Sequence, residues 1–163
     1  RSFIEDDMFD PYYVEDAIEN FNDKYNRKVK VGYGEARIAL ITSDYVIKYD
    51  YDDDCIEEIG GCENEVKLYA QAVADGFDYL FAKTMRYNYK GYSFYIMPKI
   101  NHIGEYRNLY RHADYYMTFA ERTWCEEHNL TLLHCNNYGF RKGKVCIVDY
   151  AFIENDEWEE EVP

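Results

Sequence analysis

The sequence predicts an α+β fold in which an N-terminal antiparallel sheet with helices precedes a small, mainly helical C-terminal part. Apolar residues recur every three or four positions in three segments, which is the spacing of amphipathic helices. Shorter segments of alternating apolar and polar residues occur in pairs that are separated by turn residues, which indicates β-hairpins. With 163 residues, the chain suits one domain with its own core. We therefore expect a single domain over 1–163, with parts at 1–100 and 101–163.

The first part begins with a helix and a hairpin. Asp10 and Pro11 match an N-cap followed by a first-turn proline, and the apolar spacing that follows predicts a helix over 11–26. Residues 28–41 form a predicted strand that Gly32-Tyr33-Gly34 interrupts, and 45–49 form the next strand. The result is a hairpin with a glycine-bearing corner.

The middle of the chain repeats this alternation of helix and hairpin. The helical spacing of apolar residues predicts a helix over 63–74 and the longest helix of the chain over 106–128. Between them, 81–89 and 92–100 alternate as two strands around a Lys90-Gly91 turn.

A third hairpin carries candidate metal ligands. The stretch 132–152, LLHCNNYGFRKGKVCIVDYAF, contains an Asn-rich loop, a basic turn at 141–144 and a strand that ends at Asp149. Asn137 and Asp149 can direct two oxygen ligands to one place, which suits Mg²⁺ carrying a phosphate. The alternative is an ordinary hairpin in which asparagines supply turn geometry and the aspartate ends a strand.

Charge is the outlying property of the composition. The chain has 32 acidic and 18 basic residues, for a net charge of −14, and the acids cluster in 5–10, 50–58 and 154–161. Such a surface repels phosphates and so disfavours direct nucleic-acid binding, while it attracts basic proteins. The alternative is that the acids only keep a protein with 19 tyrosines in solution. We expect partner-binding acids at Asp52, Asp53, Asp54, Glu57, Glu58, Glu159, Glu160 and Glu161.

Cysteine content and hydropathy bound the cellular context. Five cysteines without a CxxC pair predict neither a disulfide framework nor a zinc ribbon, so we expect mostly buried, reduced thiols. No apolar run approaches the roughly 20 residues of a membrane span, and the first ten residues lack a signal-peptide pattern. We expect a soluble, cytoplasmic protein that binds no membrane.

The order of these elements resembles a reduced protein-kinase-like fold, of the compact type encoded by bacteriophages and related to aminoglycoside phosphotransferases. Gly32 and Gly34 stand where that family has its phosphate-covering loop, and Val46-Ile47-Lys48 resembles the strand with the phosphate-binding lysine. The resemblance implies that Glu65 pairs with Lys48, with Glu63 as the alternative, and that Met97 lies at the hinge. It covers residues 31–152.

The end of the resemblance implies a metal site. Leu133 to Asn137 is similar to the family's D-L-H-x-x-N catalytic loop, and Asp149 in IVDYAF stands at the metal-binding aspartate of D-F-G. The implied ligands are ATP and Mg²⁺, with Asn137 and Asp149 holding the metal.

The departures from the family pattern concern catalysis. Leu132 occupies the position of the catalytic aspartate, or Thr131 does if Asn136 is the true match, and neither can accept a proton from a hydroxyl group. Only 14 residues follow Asp149, too few for a full activation segment. Lys48 and Glu65 then have an alternative interpretation as a structural ion pair.

Two functions are consistent with these features. The first is a catalytically impaired scaffold whose acidic surface binds and inhibits a basic, nucleic-acid-binding host protein. The second is an ATP–Mg²⁺-dependent phosphotransferase, because phosphoryl transfer depends mainly on positioning and charge neutralisation.

Overall fold

We describe the protein from a computed structural model. The structure describes residues 10, 11, 13–33, 37–51, 61–100, 113–130 and 137–150. These residues form an α+β fold with three α-helices, one five-stranded antiparallel sheet and one two-stranded sheet. The helices are α1 (Val14–Tyr25), α2 (Cys62–Asp75) and α3 (Phe119–Glu127). The strands are β1 (Lys30–Tyr33), β2 (Arg37–Ile41), β3 (Tyr45–Asp50), β4 (Met85–Tyr89), β5 (Tyr92–Pro98), β6 (Tyr138–Arg141) and β7 (Lys144–Ile147).

The five-stranded sheet has the order β1-β2-β3-β5-β4, and every neighbouring pair is antiparallel. Side chains alternate between its two faces. One face packs against α1, where Ile18 and Phe21 meet Leu40, Ile47 and other apolar side chains of one core cluster. The opposite face carries Lys48, which points towards α2 and the two-stranded sheet.

The two-stranded sheet is a tight hairpin. Its turn consists of Lys142 and Gly143, with φ angles of 53° and 77°. Two consecutive positive φ angles are the signature of a type I′ turn, whose twist matches that of the strands. A second core cluster, which includes Phe81, Met97, Trp124 and Ile147, packs around this hairpin.

The predicted start of the first helix is wrong by three residues. Helix α1 begins at Val14, and its N-cap residue is Tyr13, which makes no side-chain capping bond. The Tyr13 amide donates to the Asp10 carbonyl at 3.2 Å. Asp10 and Pro11 therefore form a turn that precedes the helix, and the Pro11 carbonyl accepts a hydrogen bond from the Tyr49 hydroxyl at 2.9 Å.

The predicted long helix over 106–128 is also wrong where the structure describes it. Residues Ala113–Tyr116 form a 3₁₀ turn, and α3 begins only at Phe119. Thr118 has extended backbone geometry and forms a capping box with Glu121, so a new helix begins there. Apolar spacing continues through this break because Ala113, Met117 and Trp124 all enter one core. Residues 106–112 lie outside the described residues.

The fourth strand is shorter than predicted. It begins at Met85 instead of residue 81, after a 3₁₀ turn over Asp78–Leu80. Phe81 instead forms a parallel bridge with Ile147, and the Ala82 amide donates to the Ile147 carbonyl at 2.9 Å. Residues 81 and 82, which the sequence pattern assigns to the start of β4, thus pair with β7 of the two-stranded sheet. Within the described part of the chain, no helix is long and apolar enough to cross a membrane.

Candidate functional site

An ion pair joins the central strand of the large sheet to helix α2. The Lys48 ammonium lies 3.0 Å from Glu65 Oε1 and 3.2 Å from Glu65 Oε2. The exposed fraction of the Lys48 side chain is 12%, and that of Glu65 is zero. The ion pair implied by the resemblance is therefore present, and it is buried.

The same two side chains also bind the end of the second sheet. Lys48 donates to the Val148 carbonyl at 2.8 Å, and the Tyr150 amide donates to Glu65 Oε2 at 3.1 Å. Burial raises the pKa of Glu65, while the Lys48 charge and the Tyr150 amide oppose that rise. The pair thus connects a strand, a helix and the segment that follows β7.

Asp149 has two partners of its own. Its Oδ1 lies 3.3 Å from Arg37 Nη2, and its Oδ2 lies 3.5 Å from Nδ2 of the Asn137 side chain. The Asn137 carbonyl accepts the amides of Val148 and Asp149, at 2.7 and 3.2 Å. Backbone hydrogen bonds therefore hold Asn137 and Asp149 side by side at the open end of the β6–β7 hairpin.

The alternative residue Glu63 has different partners. Its Oε2 accepts the Tyr95 hydroxyl at 2.9 Å and lies 3.4 Å from Arg86 Nη1. Glu63 and Glu65 are two positions apart on α2, so they point in different directions. The helix orientation places Glu65, and not Glu63, against Lys48.

Of the remaining predicted site residues, the structure describes Gly32 and Met97. Gly32 lies inside β1 opposite Ala39, and a β-carbon added there would meet its nearest atom, Ile41 Cδ1, at 3.7 Å. Met97 is 3% exposed and belongs to the core of the second cluster. Outside the described residues lie Gly34, Thr131, Leu132, Asn136, Asp52, Asp53, Asp54, Glu57, Glu58, Glu159, Glu160 and Glu161.

Sequence reasoning missed Arg37 and Tyr150. Arg37 pairs in register with Asp50 and lies on the same face of the sheet as Lys48, so strand alternation could have indicated its direction. Its contact with Asp149 spans 112 residues of sequence, and no local pattern signals it. Tyr150 is fully buried, and its hydroxyl contacts the Thr84 hydroxyl and the Ala82 carbonyl.

These contacts give protein partners to the side chains that the resemblance assigns to a Mg²⁺–nucleotide. The Lys48 ammonium has three oxygen atoms within hydrogen-bond distance, two of Glu65 and one of the Val148 carbonyl. Asp149 faces the Arg37 cation on one oxygen, and the Asn137 side-chain amide donates to its other oxygen. Among the described residues, no group of three or more His, Cys, Asp or Glu side chains is arranged to hold a metal ion.

The arrangement is a network of hydrogen bonds and ion pairs that fixes Lys48, Glu65 and Asp149 in place. Each charged group has at least one oppositely charged or dipolar partner, which is the condition for burying ions. Comparison of the chain with protein-family models, curated proteins and solved structures finds no match.

Proposed function

We propose that the chain is a degenerate protein-kinase-like scaffold that acts as an interaction protein, of the kind a bacteriophage would direct at a basic, nucleic-acid-binding host protein. The observation that carries the proposal is that the Lys48 ammonium, in addition to its pair with Glu65, donates to the Val148 carbonyl at 2.8 Å. In this interpretation, the lysine that would bind phosphate serves the internal structure.

The role of Arg37 supports the same proposal. A guanidinium beside Asp149 supplies the positive charge that a metal ion would otherwise bring to that carboxylate. Mg²⁺ would have to displace this cation or share the carboxylate with it. The geometry therefore favours a scaffold over a metal-dependent enzyme.

Net charge supports the choice of partner. A total of −14, with six acids in the nine positions 50–58 and six in the eight positions 154–161, presents closely spaced negative charge. A protein that grips nucleic-acid phosphates is built to bind such an array, and electrostatic attraction speeds the encounter. The partner class follows from this complementarity.

The first experiment tests nucleotide binding. Isothermal titration of the wild-type chain with ATP and Mg²⁺ should give no saturable heat, because the Lys48 ammonium and Asp149 already have partners. Arg37→Ala is the informative companion variant, since it removes the cation beside Asp149. Binding of Mg²⁺–ATP by the wild type with micromolar affinity would contradict the scaffold proposal.

The second experiment tests the partner class. Proteins captured from a bacterial lysate on the immobilised chain should be basic, should be displaced by duplex DNA, and should bind more weakly as salt rises from about 50 to about 500 mM. Neutralising Asp52, Asp53 and Asp54, or separately Glu159, Glu160 and Glu161, should lower the association rate.

A matched control keeps the number of removed charges constant. The exposed α1 residues Asp16, Glu19 and Asp23 can be neutralised together, and this variant should retain most of the association rate. Binding that is unchanged across the salt range would refute the electrostatic proposal. An equal loss from the control would show that total charge, and not the acidic runs, determines binding.

One observation favours a phosphotransferase as the second candidate. Asn137 and Asp149 lie next to each other, and the residue preceding Asp149 contacts Lys48. A missing general base typically costs about 10²–10⁴ in rate, so Leu132→Asp should restore weak autophosphorylation if this candidate is correct. Robust phosphotransfer by the wild type that Asp149→Ala abolishes would replace the first proposal with the second.

A further inference from the structure

A pocket at one end of the large sheet has a lining of unexpected charge. It lies between the segment that follows α1, the turn from β2 to β3 and the residue that follows β5, and its volume is about 250 Å³. Among the described residues, its lining includes four cations, Arg27, Lys28, Lys30 and Lys99, and one acid, Asp44. A protein with a net charge of −14 thus has a local excess of three positive charges around one cavity.

Within the part of the chain that the structure describes, no acidic side chain pairs with any of these four cations. All four side chains are exposed, and none forms a salt bridge with a described residue. By contrast, Lys48 and Lys144 each contact a buried glutamate. Four cations around one acid leave a net repulsion in the pocket, so a bound anion would relieve that repulsion.

The backbone that carries the cations is well fixed. The Asn22 side chain binds both backbone groups of Val29, at 3.0 Å each, and the Arg27 amide donates to the Asn22 carbonyl at 3.0 Å. These bonds hold the segment with Arg27, Lys28 and Lys30 in one conformation. A fixed backbone lowers the entropy cost of binding a ligand.

The opposite side of the pocket is fixed in a similar way. The Thr42 hydroxyl accepts the amides of Asp44 and Tyr45 and donates to the Tyr45 carbonyl. The Lys99 amide donates to the Asp44 carbonyl at 3.0 Å, which keeps the end of β5 against this turn. Three separate segments therefore present their side chains to one cavity.

We propose that this pocket binds a small phosphate-bearing molecule, such as pyrophosphate or a compact phosphomonoester. A phosphate group carries nearly two negative charges, and lysine ammonium groups together with an arginine guanidinium are its usual protein partners. The volume is below the roughly 300 Å³ at which pockets for drug-sized ligands begin. Phe21 and Val29 provide an apolar wall for the rest of the ligand.

The overall negative charge does not prevent this binding. Exposed charges are screened beyond about 8 Å at physiological ionic strength, so the nearest cations dominate the potential inside the pocket. The inference is independent of the proposed function, because the pocket contains none of the acidic runs and neither Lys48 nor Asp149.

The test is isothermal titration with pyrophosphate and, separately, with sulfate at matched ionic strength. The wild type should bind pyrophosphate saturably and more tightly than sulfate. Lys28→Ala combined with Lys30→Ala should weaken binding by about tenfold or more, because each removes a charge-assisted hydrogen bond. Lys99→Ala, on a different segment, should weaken it as well.

The matched control is Lys67→Ala combined with Lys83→Ala, which removes two exposed lysines that do not line the pocket. This control should bind pyrophosphate with wild-type affinity. Exposed lysines tolerate alanine with little change in stability, and circular dichroism can verify that each variant is folded.

Three results would overturn the proposal. The first is the absence of saturable pyrophosphate binding, and the second is an equal loss of affinity in the control. The third is tighter binding, at the same lysines, of a peptide with the acidic sequence of residues 154–161, which would make the pocket a docking site for acidic protein segments. In that case, Lys28→Ala combined with Lys30→Ala would weaken the peptide more than pyrophosphate.

Discussion

Replacing Lys48 by methionine tests whether the buried ion pair is a structural element of this fold. Methionine keeps an unbranched side chain of similar length but removes the cation that faces Glu65. The Glu65 carboxylate, which has no exposed surface, would then retain, among the described residues, the Tyr150 amide at 3.1 Å as its one hydrogen-bond partner. The Val148 carbonyl would lose its 2.8 Å hydrogen bond at the same time.

The magnitude follows from the burial of both groups. Removing one partner of a buried ion pair typically costs about 3–5 kcal/mol of unfolding free energy, because the other charge stays buried without compensation. In a chain of this size, each kcal/mol lowers the melting temperature by about 2–4 °C, so Lys48→Met should lower it by roughly 6 to 20 °C. Lys67→Met, on an exposed position of α2, is the control and should change stability by less than about 0.5 kcal/mol.

A second substitution distinguishes lost charge pairing from poor packing. Glu65→Gln, added to Lys48→Met, removes the unpaired charge and keeps an oxygen that can accept the Tyr150 amide. The double variant should therefore be more stable than Lys48→Met alone by at least about 1 kcal/mol. Equilibrium urea unfolding, followed by circular dichroism, measures the stability of the wild type, Lys48→Met, Glu65→Gln and the double variant.

The pH dependence supplies an independent check. Burial raises the pKa of Glu65 and the Lys48 charge lowers it, so removal of Lys48 raises the pKa of Glu65 further in the folded state. The unfolded carboxyl group titrates near pH 4.3. Between these two pKa values, the folded variant binds a proton that the unfolded chain does not, so its stability falls as pH rises through that window. The deficit of Lys48→Met relative to the wild type should therefore shrink as the pH is lowered from neutrality.

Two outcomes would refute this reasoning. A loss below about 1 kcal/mol for Lys48→Met would show that the pair contributes little beyond an exposed salt bridge. A double variant that is less stable than Lys48→Met would show that the lost energy comes from packing and not from the unpaired carboxylate.

Three further predictions concern turns and caps, and equilibrium urea unfolding measures each of them. Gly143→Ala should lower the free energy of unfolding by about 1–2 kcal/mol, because Gly143 has a φ of 77°. Gly32→Ala should leave that free energy unchanged or raise it by up to about 1 kcal/mol, because the surroundings of Gly32 accept a β-carbon. An equal loss of stability in both variants would contradict this prediction. Thr118→Ala should cost about 1 kcal/mol by removing the cap of α3, and an unchanged urea midpoint would argue against that role. Burial opposes ionisation of Glu121, but hydrogen bonds from Thr118, Tyr79 and Lys144 outweigh it and lower its pKa. The ionised Glu121 therefore stabilises the fold above about pH 4.3, and this contribution is lost as the pH falls through the lowered pKa. Glu121→Gln should therefore make stability less dependent on pH on the acid side. An unaltered slope would show that Glu121 does not cause the acid dependence.

Local chemistry was readable directly from the sequence. The turn at Lys142-Gly143 follows from a glycine between two alternating segments, and helix α2 follows from apolar spacing that ends before Gly76. The strand with Lys48 was likewise predicted within one residue of its end. The net charge and the acidic runs are properties of the sequence alone. Each of these features depends on residues that are close together in the chain.

Tertiary structure decided the features that depend on distant residues. The sequence left Glu63 open as an alternative to Glu65, and the docking orientation of α2 decides the choice by bringing Glu65 to Lys48. Apolar spacing continues through the break at Thr118 because both sides of it face one core, so periodicity alone could not reveal two separate elements. Arg37 contacts Asp149, which lies 112 residues away in the sequence. This contact forms only when the five-stranded sheet and the two-stranded sheet pack together. Sequence patterns report how a segment folds locally, whereas the neighbours of a side chain are determined by how the segments pack.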